Sequence, residues 1–120
     1  MKELNDMREI NEIIIHCTAT PEGREVSADE IRRWHKARGF KDIGYHYVIH
    51  LDGRVENGRN IETVGAHCEG HNANSIGVVY VGGLAKDGKT PKDTRTAKQK
   101  AALKCLREVV SKYFMIKKLT

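Results

Sequence analysis

No apolar run of 18 residues occurs anywhere in the 120-residue chain, which excludes a membrane-spanning helix of ordinary length. The opening Met1-Lys2-Glu3-Leu4-Asn5-Asp6 is polar and has no apolar h-region, so no signal peptide is expected and the chain is expected to be cytoplasmic as synthesised. Cysteine is scarce: three residues, an odd number, with no CxxC spacing. A disulfide framework is therefore not expected, and reduced thiols are. The lysines and arginines are spread along the chain apart from Lys117-Lys118, so no tract reads as a nucleic-acid arm. Neither the GxGxxG nor the GxxxxGK[ST] phosphate loop is present, nor a GxSxG nucleophile elbow. Repeats and low-complexity segments are lacking, and no histidine or cysteine follows Cys105.

What is present fits one domain over residues 1–120, enough for one core but not two. The formal charge of +5 favours a polyanionic partner such as a cell-wall polymer, anionic lipid or nucleic acid; a plain solvated surface accounts for it equally well. Ile10 to Cys17 is a continuous apolar, β-branched run and reads as a buried strand. Alternation puts Ile14, His16 and Thr18 on one face and Ile13, Ile15 and Cys17 on the other. Ser27-Ala28-Asp29-Glu30 is a capping box opening a helix to about Arg38, with Gly39 ending it. Ile31, Trp34 and His35 share a face of that helix, and Trp34 is expected in the core. Tyr45 to Leu51 reads as a second strand, Asp52-Gly53 as a hairpin turn, and Ile76 to Val81 as a third buried strand. Residues 58–74 read as mostly loop. Thr96 to Gln99 is a second capping box, and Ala102, Leu103, Leu106, Val109, Val110 and Tyr113 form the apolar stripe of a last helix. The alternation of strands and helices predicts an α/β fold with a mixed central β-sheet flanked by helices.

Several of these residues could carry chemistry. His16 ends a buried strand, where a rigid element would hold a metal ligand well, or where a histidine simply satisfies itself at a strand end. Tyr45 follows Gly44 at a strand start: its hydroxyl could stabilise a developing oxyanion, or the ring could be an ordinary strand aromatic. His46 and His50 lie about 13 Å apart on one strand face, too far to share a metal, and read as structural or surface residues. His67 and His71 form HxxxH, which chelates on a helix, but the intervening Cys-Glu-Gly and the following Asn-Ala-Asn argue against a helix there.

Read together, these pieces resemble the type-2 N-acetylmuramoyl-L-alanine amidases, the family of T7-type phage lysozymes and peptidoglycan recognition proteins. The matching stretches are Ile14-Ile15-His16-Cys17-Thr18-Ala19-Thr20, Ile31-Arg32-Arg33-Trp34-His35-Lys36, Asp42-Ile43-Gly44-Tyr45-His46-Tyr47-Val48-Ile49, Asp52-Gly53-Arg54-Val55-Glu56-Asn57-Gly58-Arg59, Val64-Gly65-Ala66-His67 and Asn74-Ser75-Ile76-Gly77-Val78, in family order. The resemblance implies zinc-dependent hydrolysis of the amide between N-acetylmuramic acid and L-alanine in peptidoglycan. It implies His16 as a metal ligand, Tyr45 as the catalytic tyrosine beside the metal, and His35, Phe40, His67 and Asn72 as lining of the muramyl-peptide groove. It also implies a second histidine and a cysteine after the last helix, to which Cys17, Cys68 and Cys105 do not correspond. As a C-terminally truncated relative, the chain is expected to lack the family's C-terminal strand and ligand segment, leaving the Zn2+ site incomplete. An open sheet edge then invites a homo-oligomer. The expected partner is peptidoglycan, not nucleic acid, with action at the bacterial wall after an endolysin-type release. Two alternatives stand beside the enzyme: a non-catalytic peptidoglycan-binding module and, more weakly, a regulatory partner of another protein.

Overall fold

A computed structural model describes residues 8–116 and 118–119. Among the described residues, seven strands and two α-helices follow one another as β1 (Glu12–Cys17), β2 (Thr20–Pro21), α1 (Ala28–Ala37), β3 (Tyr47–Ile49), β4 (Val55–Asn57), β5 (Ser75–Tyr80), β6 (Gly83–Leu84), α2 (Ala97–Ser111) and β7 (Lys118–Leu119). The main sheet runs β4-β3-β5-β1-β7; β4 is antiparallel to β3, and β3, β5, β1 and β7 are parallel. The mixed α/β sheet matches the expectation. A small second sheet, β2 with β6, has no sequence signal of its own and pins the loop after β1 to the end of β5.

The sheet has two differently filled faces, as strict alternation along the strands requires. Val48, Val79 and Val81 pack with Ile31 and Ala28 of α1. Ile13, Ile49, Ile76 and Val78 pack with Val110 of α2, with Ala102, Leu103 and Leu106 beside it. Both helices start where their sequences predict, but only α2 has the full capping box: at α1 the Glu30 carboxylate pairs with Arg24 instead of returning to Ser27. Ser27 Oγ accepts the Glu30 amide, and at α2 the Thr96 and Gln99 side chains cap each other's backbone amides. Gly39 ends α1 at φ 96°, a left-handed conformation that a side chain would strain.

Four boundaries and exposures differ from the sequence reading. The second strand is shorter, Tyr47–Ile49: Tyr45 and His46 stand just before it, bonded through their backbone to Arg59, Gly58 and Gly77, and His50 and Leu51 already enter the turn that leads to Arg54. Trp34 is not core. It is 37% exposed at the rim of α1, because Ile31 and His35, one turn apart, occupy the buried stripe and Trp34 falls beside it with Arg24 over its ring. Val109 and Tyr113 likewise turn outward, so the buried stripe of α2 is narrower than its sequence. The edge beside β1 is not wholly open: Lys118 and Leu119 pair with Glu12 and Ile13, so an edge strand begins within the chain. Past Ile13, no strand on that side pairs with β1 among the described residues. No helix among them is long and apolar enough to cross a membrane.

Candidate functional site

His16 lies near the C-terminal end of β1, paired in register with Val79 of β5, on the face that α1 covers. The strand runs on through Cys17, so Cys17 points to the opposite face. On the His16 side the rings of five residues follow one another. Phe40 meets His35 at 5.3 Å between centroids, His35 meets Tyr45 at 5.3 Å, Tyr45 meets His16 at 5.2 Å and His16 meets His67 at 5.1 Å. A cavity of about 360 Å³ opens beside them, lined by His35, Phe40, Tyr45, His67 and Asn72 together with Arg38, Ala66, Cys68 and Glu69. All four residues expected in the groove and the expected catalytic tyrosine therefore line one cavity. His16 sits behind Tyr45 and His67.

Each ring is held by a specific local device. His35 Nδ1 accepts the Gly44 amide at 2.8 Å, so its proton sits on Nε2. Asn72 Oδ1 accepts two backbone amides, those of His67 and Cys68, both at 3.0 Å, and so shapes the loop that carries His67. His67 bonds on both sides: Nδ1 to His16 Nε2 at 3.0 Å and Nε2 to Ser75 Oγ at 3.2 Å. Its ring lies flat against β5 at Gly77, where any Cβ would overlap it. Below it, His46 Nδ1 accepts the Gly77 amide and Nε2 meets the Thr63 carbonyl at 2.8 Å. The proton of His46 is thereby on Nε2, so the Arg8 nitrogen 3.1 Å away from that atom is a close contact of two donors, with Arg8 held instead by the Ile61 and Ala73 carbonyls.

The electrostatics follow from burial. His16 is pushed below the ordinary histidine value by desolvation. His35 is lowered by desolvation and then by the positive charges of Arg38 and Arg59. His67 falls to about 3, first through desolvation and then through His16, His46, Arg8 and Arg59. His46 falls to about 4, chiefly through desolvation. Tyr45 is pushed up by its burial. At neutral pH the rings of the site are thus neutral imidazoles and a protonated phenol, with the charges of Arg38 and Glu69 at the cavity lining beside them.

The other histidines stand apart from the cavity. His50 is buried and structural, with its two ring nitrogens 2.9 Å and 2.8 Å from Glu25 and Glu56. His71 faces Glu12 at 3.4 Å, half exposed, and segment 67–71 is not helical, so His67 and His71 do not form a chelating pair. Among the described residues, no three His, Cys, Asp or Glu side chains come together as a metal's ligands. His16 has the right chemistry for one ligand, being neutral with its Nδ1 uncommitted, but a complete zinc centre does not fit these residues.

The sequence reading missed Arg38 and Ser75. Arg38 was legible, since it follows His35 by three residues on the same helix face and so reaches the same cavity. Ser75 stands in the matching stretch Asn74-Ser75-Ile76-Gly77-Val78, but only the seating of the His67 loop over β5 makes it a partner of His67.

Residues 6–119 match the family model for N-acetylmuramoyl-L-alanine amidase. The chain belongs to that amidase family. It is 43% identical to the endolysin of Escherichia phage T7 over 101 residues, 84% of this chain and 67% of that one. Among solved structures, the endolysin amidase LysCS from Clostridium intestinale URNW superposes with a TM-score of 0.81 at 28% identity, covering 93% of this chain and 68% of that one. A structure of tracheal cytotoxin bound to the ectodomain complex of peptidoglycan recognition proteins LCa and LCx gives 0.75 at 26% identity, covering 93% and 70%. The chain spans about two thirds of the length of the phage endolysins it matches.

Proposed function

We propose that the chain forms the muramyl-peptide groove of an N-acetylmuramoyl-L-alanine amidase acting on the bacterial cell wall. The bond addressed is the amide joining the lactyl group of N-acetylmuramic acid to L-alanine. The observation that carries this reading is the convergence of His35, Phe40, Tyr45, His67 and Asn72 on one cavity, with His16 in ring contact with Tyr45. Binding of tracheal cytotoxin by a structural neighbour supports the ligand class.

Each residue has a role its own chemistry supplies. Tyr45, kept protonated by burial, donates its hydroxyl hydrogen to the carbonyl oxygen as negative charge develops there. His35 presents Nε2–H, because Nδ1 is tied to Gly44. Phe40 and Ala66 contribute apolar surface to the cavity, and Asn72 holds the 67–68 backbone that carries His67. His16 is proposed as a zinc ligand through Nδ1. Zinc, when bound, supplies a polarised carbonyl and an activated water in such enzymes. It needs ligands beyond those described here.

A second reading, a non-catalytic peptidoglycan-binding module, is favoured by the absence of three converging metal ligands among the described residues. Metal analysis, hydrolysis of purified wall followed by turbidity, and muramyl-peptide binding separate the two. Zinc near one per chain with hydrolysis supports the enzyme. Peptide binding with neither supports the module, and no binding removes both. Pairing of two copies along the β1 edge is a further proposal, and a monodisperse monomer in light scattering at high concentration removes it.

A further inference from the structure

A second cavity of about 360 Å³ lies outside the groove, at the β3–β4 edge of the sheet. It is as large as the groove, at the small end of the ~300–1,000 Å³ range of ligand pockets. Its walls stand on ordered backbone. Tyr47 and Asn57 are opposite one another in the β3–β4 ladder, so their side chains leave the same face of the sheet. Gly58 follows, where any Cβ would overlap the Tyr45 carbonyl oxygen. Asn60 Oδ1 accepts the Glu62 amide at 2.9 Å and the Asn60 carbonyl accepts the Thr63 amide, which fixes the turn carrying Asn60 and Ile61.

The lining is selective. Tyr47 and Ile61 pack against the α2-side core and also face this cavity. The Tyr47 hydroxyl and the Asn57 side-chain amide have no hydrogen-bond partner among the described residues. No polar side-chain atom among those residues is both buried and unbonded, so the Tyr47 hydroxyl is open to solvent. Asn60 keeps its side-chain N–H groups for a ligand. The one cation on the wall is spent: Arg59 donates to the carbonyls of Ile43, Val64 and Asp42. His46 has both ring nitrogens committed, to the Gly77 amide and the Thr63 carbonyl. What remains for a ligand is an aromatic ring, an aliphatic side chain, two amides and a hydroxyl, with no carboxylate and no lysine. That set suits a ligand with several hydroxyl or amide groups, apolar C–H faces and no net charge. A sugar ring meets all three demands. A phosphorylated ligand would need a cation with N–H groups to spare.

We propose that this cavity is a second binding site, for one or two uncharged saccharide units of the N-acetylhexosamine class. The acetamido group matches the two asparagine amides and brings a methyl group to Ile61. The saccharide class follows from the lining. Its source, the glycan strand of the cell wall, rests on the amidase reading of the groove. His46 lines this cavity and His67 lines the groove, with ring centroids 6.0 Å apart, so the two cavities are neighbours.

The test is amide NMR of the full 120-residue chain, backbone and side chain, titrated with the β-1,4-linked disaccharide of N-acetylglucosamine, which carries no peptide. Shifts are expected at Tyr47 and at residues 57–61, the side-chain amides of Asn57 and Asn60 among them. The double variant Asn57→Ala, Asn60→Asp changes two exposed positions and keeps the Asn60 oxygen that bonds Glu62. It should weaken binding about tenfold or more, and Tyr47→Phe, which keeps the ring, by less. No shifts at millimolar sugar, shifts confined to the His35–Phe40–Asn72 groove, or equal affinity in the double variant overturn the proposal. Tighter binding of N-acetylglucosamine 6-phosphate at the same residues overturns the uncharged class. Muramyl-peptide binding is followed on the same samples. Peptide bound in the groove without sugar at residues 57–61 sinks the saccharide site alone. Sugar bound there without peptide in the groove upholds the saccharide site and sinks the amidase reading.

Discussion

The two faces of the sheet are built from the same strands and do opposite work. Towards α2, the sheet offers Ile13, Ile49, Ile76 and Val78, which meet Val110 of the helix, and the site residues are all elsewhere. Towards α1, Val48, Val79 and Val81 pack against Ile31, and beside them stand His16 near the end of β1, His35 of α1, Tyr45 just before β3 and His67 in the loop before β5. One face holds the fold by removing apolar area from water. The other uses that rigidity to keep polar rings within hydrogen-bond distance while starving them of solvent. A single register thus serves both, since a strand offers alternate residues to each side.

The comparison can be broken from either face, and the largest effect is expected on activity. His16→Ala should abolish hydrolysis of purified wall, and Tyr45→Phe should reduce it by about 10²–10³-fold, the usual loss for an oxyanion donor, with thermal melting little changed. Unchanged hydrolysis in His16→Ala would remove that residue from the site. On the other face, Ile76→Ala empties a fully buried position and should cost about 2–5 kcal/mol in denaturant unfolding, with muramyl-peptide affinity kept in the folded fraction.

Acid should then act through the polar face. The folded-state pKa of His46 is depressed to about 4 against an ordinary 6.5, so the unfolded chain binds the proton more readily. Its contribution is full above pH 6.5 and is lost as pH falls towards 4, to a limit of about 3 kcal/mol. A flatter stability profile over that window is expected for His46→Gln, read by denaturant midpoints at several pH values. Smaller still, Thr96→Ala removes the α2 cap and should cost about 1 kcal/mol. The exposed Lys92–Glu22 pair sets the lower bound: Lys92→Ala should change stability by less than about 1 kcal/mol, and a larger loss would mean that surface charge matters more here than burial.

Much of the scaffold was legible. The run Ile13-Ile14-Ile15, the Ser27 and Thr96 caps and the Asp52-Gly53 turn each announce their element through local chemistry, and each appears where expected. The exposures of Trp34, Val109 and Tyr113 were not, because a helix's apolar stripe shows which side faces inward but not how wide the neighbouring sheet is. The shortened β3 was missed for a related reason. Tyr45 and His46 have strand-like composition, but their backbone partners, Gly58, Arg59 and Gly77, come from a loop and from another strand.

The sequence by itself determined the family and the fold class. His16, His35, Tyr45 and His67 stand in motifs whose order and spacing survive in one dimension. The tertiary structure alone decided how those residues touch. Residues 16 and 67 are 51 apart in the chain and 3.0 Å apart at their ring nitrogens, because β5 inserts between β3 and β1 and carries the preceding loop over Gly77 onto His16. Strand order is a global property of the packed sheet. No local pattern around either histidine encodes it, and so the chain from Ser75 through His67 to His16 is visible only in three dimensions.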